Sequence, residues 1–262
     1  MSGRLWVTQL MTRFLSIASG KGGVGKTTVA INLGTALSSL GVEVLVVDGN
    51  LYTPNLGLYL GISKFPATLH DAIKGTKNIR ETVYIHSSGL KIIPSSISLE
   101  DMKNLNLENM NKVMLDLYGT ADIVLIDVSA GVGEEAVSAI KSSEEMILVL
   151  TPDSASIADA IKTMNVAKDL GIKTRGVVVN KAADNSEFSN ESITALFGLP
   201  IISTIPEEPM IKAAVSIKQP VVFSYPECPA SIAFRKLAAE LIGQKYEEKI
   251  KKPSLLARIF GK

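Results

Sequence analysis

Short runs of apolar residues alternate along most of the chain with longer segments in which apolar residues recur every three or four positions. The runs predict buried strands, and the longer segments predict amphipathic helices. The runs occupy residues 14–18, 42–47, 90–94, 121–127, 146–152 and 174–181, and the helical spacing occupies residues 28–40, 67–74, 99–117, 154–170 and 230–243. Because strands and helices alternate without an internal repeat, the pattern predicts an α/β fold, a doubly wound, mostly parallel sheet flanked by helices.

A glycine-rich segment joins the first predicted strand to the first predicted helix. It matches the phosphate-binding pattern GxxxxGK[ST] at Gly20, Gly25, Lys26 and Thr27. In such a loop the glycines let successive N–H groups point at phosphate oxygens, and the helix N-terminus adds a partial positive charge. We expect Lys26 to reach the β- and γ-phosphates and the Thr27 hydroxyl to bind Mg²⁺. The alternative is a glycine-rich turn that binds nothing.

The length, net charge and cysteine count of the chain limit its possible domain organisation and binding partners. The 262 residues fit one sizeable α/β domain, predicted for residues 13–243, and the hydrophobic share of 46% is enough for a large core. A net charge of +1 argues against a strongly basic surface for nucleic acid. The single cysteine, Cys228, excludes a disulfide or a paired-cysteine metal site within one chain. We expect it to be an ordinary loop thiol.

The sequence predicts neither a transmembrane helix nor a signal peptide. No apolar run approaches the ~20 residues that span a bilayer, and the first residues lack the apolar core and cleavage site of a signal peptide. We therefore expect residues 1–12 to form a flexible extension and the protein to be cytoplasmic. His70 is expected to be a surface or capping residue, since no second metal-binding side chain follows it at i+3 or i+4.

A second lysine, Lys21, lies inside the glycine-rich loop. The arrangement GKGGVGKTT resembles the deviant Walker A motif of the MinD/ParA ATPases. The resemblance implies that the chain binds ATP and Mg²⁺ and forms a homodimer with ATP, in which Lys21 reaches the nucleotide of the partner. A solvated surface lysine is the alternative. The loop residues implied to contact nucleotide are Gly20, Lys21, Gly22, Gly23, Val24, Gly25, Lys26, Thr27 and Thr28.

The segment after the second predicted strand resembles the first switch of this family, D-x-D followed by a polar loop and an asparagine. Asp48 matches the first acidic position and Asn55 the later asparagine, but Asn50 stands where the family has its second aspartate. That aspartate is assigned to orienting or activating the attacking water, and an amide cannot take a proton. The departure predicts slow hydrolysis. Alternatively, backbone groups orient the water and Asn50 is harmless.

The apolar run 121–127 resembles a Walker B strand that ends at Asp127. A carboxylate there typically binds Mg²⁺ through its water shell, and the resemblance places Thr27, Asp48 and Asp127 on the metal side of the site. The continuation resembles the second switch, D-x-P-A-G, with Ser129 in place of the proline and Gly131 presenting its N–H near the γ-phosphate. Together with Lys21, Lys26 and the position of Asn50, Asp48 is a candidate for catalysis.

The resemblance also suggests how the base is recognised. Asn180, at the end of the run 174–181, matches an asparagine that contacts the adenine edge, and its amide could donate and accept at once. A turn-forming role after the strand is the alternative. The segment 200–209 resembles the wall on the other side of the adenine, with Pro206, Glu207 and Glu208 as candidate contacts.

The composition changes abruptly near the end of the chain. Residues 244–253 form a charged linker, and residues 254–262, if helical, place four apolar side chains on one face beside basic residues: Leu255, Leu256, Ile259 and Phe260. Such a segment suits an anionic membrane surface and resembles the membrane-targeting tail of MinD proteins. One copy would bind weakly, whereas two copies on a dimer would gain avidity. A frayed terminus, or a strip docked on its own domain, is the alternative.

Three functions remain to be distinguished. The resemblance, over about residues 13 to 245, implies a MinD-like ATPase that binds the inner face of the cell membrane and positions a division site or polar assembly, with a protein activator or cargo. A ParA-type partition ATPase acting on DNA is less consistent with the neutral charge. An ATP-binding scaffold with little hydrolysis is favoured by Asn50. An iron–sulfur carrier is disfavoured by the lack of paired cysteines.

Overall fold

The sheet predicted from the apolar runs has eight strands within residues 12–246, the part of the chain that the computed structural model describes. The strands are β1 (Arg13–Ser19), β2 (Val44–Gly49), β3 (Tyr84–Ile85), β4 (Lys91–Ile93), β5 (Ile123–Ala130), β6 (Glu145–Leu150), β7 (Lys173–Ala182) and β8 (Ile201–Pro206). Their order across the sheet is β3-β4-β2-β5-β1-β6-β7-β8, and all pairs are parallel except β3 with β4. The predicted doubly wound, mostly parallel sheet is confirmed.

Helices connect the strands and cover the sheet. They are α1 (Lys26–Ser39), α2 (Leu56–Tyr59), α3 (Leu69–Ile73), α4 (Leu99–Met102), α5 (Asn109–Leu115), α6 (Glu134–Lys141), α7 (Ser154–Asp169), α8 (Asn190–Phe197), α9 (Pro209–Ser216), α10 (Val221–Ser224) and α11 (Pro229–Leu241), with a 3-10 helix at Ile79–Thr82. The apolar pattern did not single out β3, α6, α8 or α9. These elements are short or lie at the sheet's edges, where the pattern is weakest.

Two apolar layers hold the sheet between its helices. In β1, Phe14 and Ala18 point into the layer that includes α6 and α7, whereas Leu15 and Ile17 point into the layer that includes α1 and α11. This alternation follows from the two-residue repeat of a strand. Both faces of the central strands are therefore buried, which explains why these strands were recognisable as continuous apolar runs.

Helix α1 lies unusually close to the sheet at Gly34. A Cβ atom at this position would lie 2.7 Å from Cγ2 of Val46 and 3.0 Å from Cδ1 of Leu90. Both distances are shorter than side chains tolerate without displacement. The absence of a side chain at Gly34 thus allows α1, and with it the glycine-rich loop at its N-terminus, to dock firmly on the strands.

The prediction of one helix over residues 99–117 is wrong. The structure has two short helices, α4 and α5, and the segment between them is not helical. Asn104 has φ of 57°, which ends a right-handed helix, and the Asn106 side chain accepts the N–H of Glu108 in a local turn. The apolar spacing still marked buried positions, because Met110 and Met114 are both in the core.

The prediction that His70 is a surface or capping residue is also wrong, because its side chain is fully buried. Its Nδ1 accepts the N–H of Ser96 at 3.1 Å, so Nε2 carries the proton and donates to the Leu51 carbonyl at 3.0 Å. These two bonds satisfy the neutral imidazole completely. His70 therefore joins the loop after β2 to the segment after β4.

This burial predicts a pH-dependent stability. Burial lowers the pKa of His70, although the Leu51 carbonyl opposes the shift. The folded protein then binds fewer protons than the unfolded chain, so stability is complete above the ordinary pKa of about 6.5 and falls as the pH drops below it. We expect His70→Gln to lose part of this slope in denaturant titrations between about pH 7 and about pH 5.

The chain has two histidines, and burial also lowers the pKa of His86. His86→Gln is therefore the matched control, in which the slope due to His70 should persist. A His70→Gln variant with the full slope of the parent would contradict the assignment.

Several predictions concern the chain ends. Residues 1–11 and 247–262, with the predicted tail and most of the linker, lie outside the described residues. Thr12, which was assigned to a flexible extension, is buried and donates its hydroxyl to the Ala121 carbonyl at 2.7 Å, so that boundary is corrected. Among residues 12–246, none of the helices combines the length and apolar character that a membrane crossing needs.

Candidate functional site

A cleft of about 610 Å³ opens beside the glycine-rich loop, at the carboxyl ends of β1, β2 and β5. Ligands bind at this edge in open α/β sheets. The cleft combines residues from the loop, from the segment after β2, from the end of β5 and from the C-terminal third of the chain: Gly22, Gly23, Gly25, Lys26, Thr27, Thr28, Asn50, Thr53, Asn55, Leu58, Tyr59, Val128, Ala130, Lys181, Val215 and Lys218.

The loop ends at Gly25, which has φ of 99° and directly precedes α1. A side chain is disfavoured there by the backbone angle and by the Asn180 amide nitrogen, 2.3 Å from where a Cβ would lie. Lys26 follows as the first helical residue. Its side chain folds over the loop, and Nζ donates to Oγ of Ser19 at 2.9 Å.

Lys26 is buried in this position. Burial lowers its pKa, and the nearby Asp127 carboxylate opposes that shift. A buried ammonium held by one hydroxyl is poorly compensated. Phosphate oxygens in the cleft would supply the missing anionic partners.

Thr27 and Asp127 form a candidate magnesium site. The Thr27 hydroxyl donates to Oδ2 of Asp127 at 2.6 Å, while Oδ1 of Asp127 is buried without a hydrogen-bond partner. Burial raises the pKa of Asp127 to about 6, and the Thr27 hydroxyl and Lys26 oppose the shift. A hydroxyl and a carboxylate with a free oxygen fit Mg²⁺, which keeps much of its water and shares phosphate ligands.

Asp48 lies beside Asp127, as its register partner on the neighbouring strand β2. Its carboxylate is fully buried and accepts the N–H of Leu56 at 3.0 Å and the N–H of Asn50 at 3.3 Å. Burial, and then the charge of Asp127, raise the pKa of Asp48 well above its ordinary value, against these two N–H groups. Asp48 therefore shapes the loop that follows β2 from inside.

Asn50 uses both ends of its amide within the loop. Oδ1 accepts the N–H of Thr53 at 3.2 Å and its hydroxyl at 2.9 Å, and Nδ2 donates to the Thr53 carbonyl at 2.6 Å. Asn55 donates to the same carbonyl at 2.8 Å. An aspartate at position 50 could not donate to Thr53, so the amide stabilises a turn that the corresponding acid would loosen.

Strand β5 continues beyond Asp127 to Ala130, so half of the predicted second switch is strand. Ser129 is buried in it. Gly131, expected to present its N–H to the γ-phosphate, instead donates to the Ser19 carbonyl at 3.0 Å. Contact with a phosphate would require this bond to open. The φ of 87° at Gly131 marks a position where the backbone favours glycine.

Lys21 lies on the outer side of the loop, where its Nζ approaches Oδ1 of Asp153 at 3.1 Å. The Lys21 side chain is 42% exposed, in contrast to the buried Lys26. The two lysines of the motif thus have different surroundings, one buried beside Ser19 and the other exposed beside Asp153. A second cleft of about 410 Å³ adjoins Lys21 and extends to Lys181 and Glu207.

The Asn180 side chain is buried against the loop. Its Nδ2 donates to the Val24 carbonyl at 2.7 Å, and its Oδ1 is buried without a partner. One N–H of the amide is thus used by the Val24 carbonyl, and Oδ1 is free to accept a hydrogen bond. In the neighbouring segment, β8 ends at Pro206, Glu207 donates its N–H to the Ala182 carbonyl, and Glu208 caps α9 by accepting the N–H of Met210.

Three charged residues at the site were not assigned from the sequence. Lys181 has φ of 55° and donates its ammonium to the Gly23 carbonyl at 2.7 Å. Asp153 pairs with Lys21, and Glu135 contacts the loop after β2. Lys181 follows Asn180 at a strand end, which is a usable signal. Asp153 and Glu135 meet partners more than eighty residues away in sequence, and spacing cannot reveal such contacts.

Comparisons with known proteins agree with this geometry. The family model described as "ParA: NUBPL iron-transfer P-loop NTPase" matches residues 10–242. An uncharacterized ATP-binding protein of Methanocaldococcus jannaschii is 37% identical, with 93% of this chain and 92% of the relative covered.

Two solved structures are similar in fold. The septum site-determining protein MinD of Pyrococcus horikoshii, solved with Mg-ADP, is 35% identical with a TM-score of 0.84, covering 88% of this chain and 96% of that one. MinD in the MinC:MinD complex of Aquifex aeolicus is 27% identical with a TM-score of 0.80, covering 90% and 98%. Both the family model and the relatives span nearly the whole described chain. The chain therefore belongs to the MinD/ParA family of P-loop ATPases.

Proposed function

We propose that this chain is a MinD-type switch, in which Mg-ATP closes a homodimer and the dimer attaches reversibly to an anionic membrane. The observation that carries the proposal is the different placement of the two lysines in one phosphate loop, one buried and one exposed. Lys26 is buried against its own loop, whereas Lys21 is half-exposed at the rim, where a second subunit could approach. A cation for each of two nucleotides suits a dimer closed face to face.

Within one subunit, Lys26 and the loop N–H groups would hold the phosphates, and Thr27 and Asp127 would hold hydrated Mg²⁺. The bound cation would supply neutralisation of charge on the phosphate oxygens. In the described part of the chain, no group of three or more His, Cys, Asp or Glu side chains forms a metal site on its own. This is consistent with a cation bound jointly by protein and nucleotide.

The free oxygen of Asn180 supports adenine over guanine. Adenine carries an amino group at the position where guanine carries a carbonyl oxygen. Oδ1 of Asn180, which has no partner, can receive this amino group, whereas the same oxygen would repel a carbonyl. Pro206, Glu207 and Glu208 lie at the adjoining strand end and would wall the base.

Slow hydrolysis is part of the proposal. Asn50 cannot take a proton, and its amide is bonded to Thr53. The state that ATP stabilises would then be long-lived, as a membrane-bound positioning protein requires. The predicted tail, with Leu255, Leu256, Ile259 and Phe260, supplies the membrane contact, and avidity couples it to the dimer. The proposed location is the cytoplasm and the inner face of the membrane, with an activator or cargo protein.

The alternatives have weaker support. The matching family model mentions iron transfer, but one cysteine cannot bind iron as a pair within one chain, and Cys228 lies at the start of α11 near Ser231. A ParA-type role on DNA is less well supported, because the chain has a net charge of only +1. A scaffold that binds ATP without turnover is favoured only by Asn50.

The decisive experiment compares ATP turnover by the parent chain and by Asn50→Asp. We expect slow turnover by the parent and an increase of about tenfold or more in the variant, since general base catalysis contributes at least that much when a carboxylate is well placed. Asn78→Asp, which adds the same charge at a distant helix cap, is the control and should match the parent. Equal turnover by parent and Asn50→Asp would show that Asn50 does not limit hydrolysis.

The same samples are centrifuged with vesicles that contain phosphatidylglycerol. Pelleting of the full chain with ATP but not ADP supports ATP-dependent membrane binding. Absence from the pellet in every nucleotide state would remove the membrane part of the proposal and bring the DNA-acting alternative forward.

A further inference from the structure

Glu135 is tied to the first switch by an unusual contact. One oxygen of its carboxylate, Oε1, accepts the N–H groups of two consecutive residues, Leu51 and, at 2.9 Å, Tyr52. Glu135 belongs to α6, in a different part of the sequence. Hydrogen bonds to a charged group are stronger than neutral ones, so these two bonds directly link α6 to the segment that carries Asn50.

The peptide group of Leu51 is also held from its other side. His70 donates to the Leu51 carbonyl, and the Leu51 side chain is fully buried. Further back, Ser95 donates its hydroxyl to the Asp48 carbonyl at 2.7 Å. The first switch is therefore fixed to the body of the protein on both sides of Asn50, with Glu135 supplying the anionic anchor.

Helix α6 provides a rigid base for this anchor. Ala136, Ala139 and Ile140 are buried in the core on the face opposite the solvent. The helix also begins directly after the second switch, with Gly133 as its cap. One carboxylate thus connects the element that ends the second switch to the backbone of the first.

A purely local role would be stabilisation of the α6 N-terminus, which favours acidic residues. Glu134 can do this equally well, because it occupies the same first turn. It is exposed, and among the described residues its side chain has no hydrogen-bond or ion-pair partner. The contact with two switch N–H groups is therefore specific to Glu135 and is not needed to begin the helix.

We propose that Glu135 is a positioning residue that holds the first switch against α6 and so keeps Asn50 and Asp48 in place for hydrolysis. The catalytic part of this inference rests on the ATPase cycle proposed above. Loss of the Glu135 carboxylate should therefore lower the rate of the chemical step. It should have little effect on ATP binding, because Glu135 lies outside the residues that line the nucleotide cleft.

The test uses the full chain with Glu135→Ala, Glu135→Gln and Glu134→Ala. Hydrogen–deuterium exchange is followed at the amides of Leu51 and Tyr52, and kcat and KM are measured with Mg-ATP. In Glu135→Ala we expect exchange at both amides to be at least about tenfold faster and kcat to fall about tenfold, with KM within about twofold of the parent. Glu135→Gln keeps an accepting oxygen and should rescue most of both effects, and Glu134→Ala should behave as the parent.

The outcomes are distinguishable. Unchanged exchange at Leu51 and Tyr52 in Glu135→Ala would overturn the anchor, and faster exchange without a fall in kcat would overturn the catalytic role. A rise in KM instead of a fall in kcat would also contradict positioning. If the parent itself has no turnover, the proposed hydrolysis fails. The exchange rates of the Leu51 and Tyr52 amides, measured with and without Mg-ATP, then test the anchor independently of turnover. Equal rates in the parent and in Glu135→Ala would reject it.

Discussion

Replacement of Lys26 by alanine is expected to lower ATP turnover at least about 100-fold, a loss typical of removing one group that stabilises the transition state. The buried ammonium lies over the phosphate loop with one hydroxyl partner, Ser19. It is therefore placed to neutralise phosphate charge in a cleft where water screens poorly. Binding should fail as well: at about 100 times Kd, Mg-ATP would stabilise the parent by about 2.7 kcal/mol, and the variant should lose this thermal shift.

The same variant should fold normally. Burial of Lys26 is costly and the nearby Asp127 carboxylate offsets that cost only in part, as the lowered pKa of Lys26 indicates, so its removal should change the melting temperature of the nucleotide-free protein by no more than about 2 °C. Lys162→Ala is the matched control, because it removes an exposed lysine that pairs only with Asp159 on the same helix. A Lys26→Ala protein that retains the Mg-ATP shift would refute the assignment of this lysine to the phosphates.

Replacement of Gly20 by alanine is expected to cause the largest loss of stability. A Cβ at this position would lie 2.1 Å from both the carbonyl carbon and the carbonyl oxygen of Asp159 in α7. These are backbone atoms of a helix and cannot rotate away, so α7 or the loop must shift. Such overpacking costs about 3 kcal/mol, which corresponds to a drop of about 6–12 °C in melting temperature for a protein of this size.

Gly22 supplies the control within the same loop. A Cβ there would first meet the Ala130 side chain, at 4.0 Å, which is an ordinary contact. Gly22→Ala, measured without nucleotide by thermal unfolding, should melt within about 2 °C of the parent. If Gly20→Ala were equally harmless, the loop could not be packed against α7 as described.

Much of the fold was predictable because its central strands are buried on both faces and its helices carry a regular apolar spacing. The phosphate loop was predictable because four glycines and two lysines have a fixed order between a strand and a helix. The helix prediction failed where polar side chains form local hydrogen bonds that compete with the helix favoured by the apolar spacing. Asn104 and Asn106 end α4 and open the turn before α5, although the apolar positions continue at helical intervals.

The arrangement of the site was less predictable, since it depends on contacts between distant segments. His70 is buried because Leu51 and Ser96 satisfy its two nitrogens, and neither partner is near it in sequence. Glu135 reaches Leu51 across 84 positions. Motif spacing identified residue types with the right chemistry, but it could not indicate which polar atoms were already bonded, such as the amide nitrogen of Asn180, which donates to Val24.

The close packing of α1 against the sheet at Gly34 affects how the phosphate loop can move. Because α1 packs directly on the sheet here, a shift of the helix toward the sheet would have to displace Val46 or Leu90, and the phosphate loop at its N-terminus is held with it. In the proposed ATPase cycle, a difference between ATP and ADP would then be expressed elsewhere, in segments with many hydrogen bonds to the body, such as the loop around Asn50. In that cycle, the phosphate loop would therefore keep its position, and the contacts of the loop around Asn50 would differ between the two nucleotide states.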